Sequence, residues 1–61
     1  MDIKLISEIS KELKVPEAAA SSTLALLEEG NTVPFIARYR KEATGGMDEE
    51  QILFIEKQYK Y

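Results

Sequence analysis

Sixty-one residues leave room for one small domain, and a domain of that size buries only about 60% of the surface its unfolded chain exposes. There is no cysteine and no histidine, which excludes disulfide staples, thiol nucleophiles, imidazole bases and Cys/His zinc sites. Eight basic against eleven acidic residues give a formal net charge of -3, which argues against dominant non-specific binding to nucleic acid.

The first predicted helix covers Ile3 to Lys14. Asp2 is its expected N-cap, because a short carboxylate can accept from the free N–H groups of a first turn. Leu5, Ile6, Ile9 and Leu13 recur at helical spacing, with Lys4, Glu8 and Lys11 on the opposite face. Val15-Pro16 stops this helix, since the residue before proline is pushed out of helical geometry.

Proline can also open a helix, so the second is predicted from Pro16 to Glu29. Ala20, Thr23, Leu24 and Leu27 form its main stripe, and Ala18, Ala19 and Ala25 widen a small-residue surface that lets a neighbour approach closely. Gly30-Asn31 is a left-handed ending. Thr32 and Pro34 then start a short third helix that runs to Thr44-Gly45-Gly46, with Phe35, Ile36 and Tyr39 facing inward and Arg38 and Arg40 pointing together elsewhere.

A fourth helix begins at Asp48, which stands in a capping-box relation to Gln51, while Glu49 and Glu50 suit the positive end of the helix dipole. Ile52, Ile55 and Tyr59 make one stripe, but Leu53 and Phe54 lie on other sides, and Tyr61 falls near Phe54. A helix apolar around most of its girth needs partners on more than one face. No Gly, Asn or Pro closes the pattern, so the last helix reads as truncated. The expected fold is therefore all-α, a bundle of about four helices opening with a helix-turn-helix-like hairpin. Ile6, Ile9, Leu13, Leu24, Leu27, Phe35, Ile36 and Ile52 would form its core.

The hairpin at Lys14-Val15-Pro16-Glu17 lacks what a DNA reader needs. Its second helix presents Glu17, Ala18, Ala19, Ser21 and Ser22, without one basic residue to reach a base edge or phosphate. The basic cluster Arg38, Arg40 and Lys41 is the candidate nucleic-acid site, with Tyr39 able to stack beside a base. The alternative is that these residues pair with Glu28, Glu29, Glu42 or Glu50, or with carboxylates elsewhere in a larger protein. Gly45-Gly46 lacks the rest of a phosphate-binding loop and serves as a turn. Glu28-Glu29 and Glu49-Glu50 are adjacent on helices, so the members of each pair diverge, and no constellation for catalysis, a metal or a cofactor is present. The apolar run Ile52-Leu53-Phe54-Ile55 is far too short to span a bilayer, and the N-terminus lacks a signal-peptide pattern. The cytoplasm is the default location.

The segment from Thr32 through Glu42, followed by Thr44-Gly45-Gly46-Met47-Asp48 and Gln51 and preceded by Leu26-Leu27-Glu28-Glu29-Gly30, resembles the N-terminal region of the Tex family of bacterial transcription accessory proteins. The resemblance covers essentially the whole chain; its specific part is Leu26 to Gln51, and Met47 stands where leucine is common. It implies a helical N-terminal domain, residues 1–61, of a much longer multi-domain protein. Such proteins also carry an RNase H-like domain, helix-hairpin-helix elements and a C-terminal OB-fold RNA-binding domain. It further implies a role in transcription and contact with RNA or DNA through the full-length protein. No catalytic residue of the family falls within this stretch. The expected function is that of a structural and interaction module facing the remaining domains of the parent chain. The competing expectation is a stand-alone nucleic-acid-binding module using Arg38, Arg40 and Lys41. In isolation the chain would self-associate through its apolar last helix or be only marginally stable.

Overall fold

Helix α1 spans Ile3–Leu13 in the computed structural model, which describes residues 3–59. It buries Ile6 and Ile9, with Leu5 and Leu13 half-buried beside them, so the expected stripe forms with Leu13 at its edge rather than in the core. The Asp2 cap and the Tyr61 end of the last helix fall outside the described residues. α1 closes on Lys14, whose φ of 57° is left-handed, and the Val15 N–H reaches back to the Ser10 carbonyl at 3.1 Å. That is a Schellman ending built without glycine. The Ser10 hydroxyl donates to the Val15 carbonyl at 2.5 Å and ties the turn from its other side.

α2 spans Glu17–Glu28. Pro16 is its N-cap rather than its first helical residue: its φ of -61° suits either role, but its ψ of 147° is extended. The Pro16 carbonyl still accepts the first helical bond, from the Ala20 N–H at 3.1 Å. The buried stripe is Ala19, Ala20, Thr23, Leu24 and Leu27. Thr23 has no exposed surface, and its hydroxyl donates to the Ala19 carbonyl at 2.8 Å, so no buried polar atom is left unmatched there. Gly30, with φ at 98°, turns the chain out of α2, and Asn31 donates to the Leu26 carbonyl through its backbone N–H at 3.3 Å and its side chain at 2.8 Å.

The predicted third helix is two helices, α3 (Val33–Tyr39) and α4 (Lys41–Thr44), so the bundle has five among the described residues. The break is Arg40, at φ -129° and ψ 38°. It costs little in hydrogen bonding. The Arg40 N–H closes α3 on the Ile36 carbonyl at 3.0 Å, and the Arg40 carbonyl accepts from Ala43 and Thr44, both at 3.1 Å. Thr32 caps α3 as expected, its hydroxyl oxygen accepting from the Phe35 N–H at 3.3 Å. α4 ends at Gly45, whose φ of 72° is left-handed, and the Gly46 N–H returns to the Lys41 carbonyl at 3.0 Å.

α5 spans Glu49–Tyr59 and starts on the predicted capping box. The Gln51 N–H donates to Asp48 Oδ1 at 2.9 Å, and the Asp48 N–H donates to Gln51 Oε1 at 3.0 Å. Asp48→Ala removes the first of these bonds and is expected to destabilise the domain by about 1 kcal/mol. In thermal unfolding followed by circular dichroism this should appear as a fall in Tm of roughly 4–8 °C. An unchanged Tm would mean the box contributes nothing.

α2 is the hub. It packs against each of the other four helices, while α5 also packs on α3 and α1. Ile9, Leu24, Ile36, Ile52 and Ile55 are the large side chains sealed at the centre. Besides Leu13, two residues expected inside are not there: Phe35 is half-buried and Tyr39 is 57% exposed. The inward stripe of α3 is instead Val33, Ile36 and Ala37, one residue out of phase with the expected one. Met47, 3% exposed, fills the space before α5.

Candidate functional site

The three basic residues picked out by the sequence end in different surroundings. All are exposed, and among the described residues none is held in an ion pair with the acidic residues that surround them in sequence. The break at Arg40 folds its guanidinium over the Phe35 ring, 5.3 Å from the centroid, and its Nη1 donates to the Tyr39 carbonyl at 3.2 Å. The Phe35 and Tyr39 rings stand 5.3 Å apart at 49°. This is an exposed aromatic and cationic platform, worth about 0.5–1 kcal/mol for the cation–π contact at such a site. Lys41 lies elsewhere, lining a groove with Asp48, Glu49 and Glu50. Arg38 projects from α3 as an exposed residue. The shared direction expected for Arg38 and Arg40 assumed one continuous helix, and the helix ends between Tyr39 and Lys41.

The hairpin is structural in its geometry. α4 packs beside the early face of α2: Ala18, Ala19 and Ser22 line an open cleft with Glu42, Ala43 and Gly45, and of the three only Ala19 is buried. A Cβ built on Gly45 would stand 3.5 Å from the Ala19 Cβ, which places the α4 terminus in contact with α2. The part of that face left exposed carries Glu17, Ala18 and Ser22, with no basic side chain to meet a phosphate.

A second surface is apolar. Val33 and Pro34 at the start of α3, with Leu53 and Tyr59 of α5 and Leu27 of α2, line a groove of about 610 Å³. Leu53 is 40% and Tyr59 38% exposed. The sequence shows that α5 has apolar residues beyond its inward stripe. It does not show that Val33 and Pro34, some twenty positions earlier, form the facing wall. The one local hint is Pro34, an apolar side chain at a helix start that its neighbours' spacing leaves outside the core.

The chain matches the Tex-like protein N-terminal domain over residues 3–61. It belongs to that family. The relatives similar to this Tex-like domain include "Uncharacterized protein YdcI" of Bacillus subtilis, 53% identical over 57 residues, which are 93% of this chain and 8% of that protein. The "Transcriptional accessory protein Tex" of Neisseria gonorrhoeae is 45% identical and "Protein tex" of Bordetella pertussis 43%, each over 87% of this chain and 7% of the relative. The Tex-like domain thus spans less than a tenth of the length of these relatives. No solved structure matches it. No described helix is long and apolar enough to cross a membrane.

Proposed function

We propose that this Tex-like domain is a non-catalytic structural and interaction module of a cytoplasmic transcription accessory protein, and that it works by docking to the remaining domains of its parent polypeptide. In this reading the full-length protein binds nucleic acid, RNA in particular, through those other domains and acts in transcription. The observation that carries the reading is the apolar surface of Pro34, Leu53 and Tyr59, left open beside the buried Val33 on a domain whose own core is already closed. Apolar side chains lining a groove give a partner's apolar side chains a place to leave water. The transcriptional accessory protein Tex of Neisseria gonorrhoeae, a relative of this chain, supports the setting. The test compares the isolated 61-residue chain with the longer parent polypeptide by hydrogen exchange and thermal unfolding. The α5 amides around Leu53 should exchange more slowly and the domain should melt higher in the longer protein. Equal protection and equal Tm would overturn the reading.

A second reading starts from the Arg38, Arg40 and Lys41 cluster and narrows to the platform of Phe35, Tyr39 and Arg40, which can stack a base beside a cationic side chain, with Arg38 exposed on the same helix. It requires salt-sensitive binding of single-stranded RNA or DNA by the isolated domain, weakened in the Arg38→Ala, Arg40→Ala double variant. No binding at low salt disposes of it.

A further inference from the structure

The open groove combines an apolar floor with a rim of a single charge. Val33, Pro34 and Leu53 wall both it and the smaller groove adjoining it. The charged residues that line the first are Glu28 and Glu56, and those that line the second are Glu49 and Glu50. No lysine or arginine lines either one, although the chain has eight basic residues. The acids therefore bracket the apolar strip, with Glu49 and Glu50 in the first turn of α5 and Glu56 near its far end.

We propose that this strip seats an amphipathic helix of the parent polypeptide, apolar on the docking face and flanked on both sides by lysine or arginine. The assignment rests on the reading of the domain as an interaction module and adds the chemistry of its occupant. Helix-in-groove recognition needs an apolar floor for the anchors of one helical face, and the rim selects partners by charge. The acidic rim also sets aside the other occupants. Two copies pairing symmetrically through this patch would bring each glutamate rim onto its own image. A phosphate backbone would be repelled by the carboxylates of Glu28, Glu49 and Glu50 along the strip. The relatives run more than ten times the matched length, which leaves ample chain to supply the helix.

The test titrates the 61-residue chain, isotope-labelled for NMR, with two synthetic helical peptides of identical leucine face. One carries lysine and arginine flanks, the other glutamate flanks. The basic peptide should bind on the order of tenfold or more tightly than its acidic twin, lose affinity with added salt, and shift the amides of Val33, Leu53 and Tyr59. Leu53→Asp should abolish binding without unfolding a domain in which Leu53 is already 40% exposed. Glu49→Lys with Glu50→Lys should weaken the basic peptide and strengthen the acidic one. Equal affinities, a footprint away from Leu53, or a dimer that buries Leu53 in sedimentation would overturn the assignment. If neither peptide is preferred yet α5 is protected in the longer protein, the charge assignment fails and the interaction module stands. If α5 is equally exposed in the longer protein, the module itself fails.

Discussion

Ile52→Ala is expected to leave a large fraction of the chain unfolded at room temperature. Ile52 has no exposed surface, on a helix that packs against both the hub helix and α3. Truncating a sealed isoleucine removes buried methyl groups and leaves a cavity, at about 2–5 kcal/mol. A 61-residue domain has only about 3–9 kcal/mol in total, so one such loss reaches the lower part of that range. The next residue supplies the control. Leu53 is 40% exposed, and Leu53→Ala should change stability by about 0.5 kcal/mol. Urea unfolding followed by circular dichroism separates the two. Similar midpoints for Ile52→Ala and Leu53→Ala would mean that α5 does not dock as described.

What the sequence disclosed follows the range of the interaction. The Thr32 cap, the Asp48–Gln51 box and the left-handed Gly30 and Gly45 are each decided within a few residues, and each is found where the local pattern places it. The α1 stripe is equally local, because an eleven-residue amphipathic helix has only one apolar side to bury. The phase of α3 is different. Phe35, Ile36 and Tyr39 and the actual stripe of Val33, Ile36 and Ala37 are both plausible apolar faces at helical spacing. The choice between them depends on which face α2 and α5 can accept, and small Ala37 fits that contact where Tyr39 does not. The bend at Arg40 follows from the same packing, since α4 lies against α2 beside Ala19.

The candidate sites divide in the same manner. Arg38, Arg40 and Lys41 look like one cluster in sequence because they are close in number. The bend disperses them, onto an aromatic ring in the case of Arg40 and into an acidic groove in the case of Lys41. The apolar groove was not legible as a unit, because its walls come from the start of α3 and the middle of α5 and meet only in the tertiary fold. The surplus of apolar residues on α5 announced that some of them would be exposed, as Leu53 and Tyr59 are, without saying which wall they would share.

Ala20→Leu should destabilise the domain by about 1–3 kcal/mol or more, although it adds apolar surface. Leucine is nearly as good a helix former as alanine, so α2 itself is not weakened. The cost comes from position. Ala20 has no exposed surface, on the helix that touches all four others, and its neighbour Ala19 is already within contact distance of the α4 terminus. An added isobutyl group can be housed only by pushing a neighbouring helix away from α2, which opens gaps that a tightly packed interior does not tolerate. Ala18→Leu, two residues earlier on the exposed side, adds the same group to the same helix and should stay within about 0.5 kcal/mol of the parent. The pair thus separates helix propensity from packing. A normal midpoint for Ala20→Leu would show that the centre of the bundle can expand, and the run of small residues on α2 would then have no packing role to explain it.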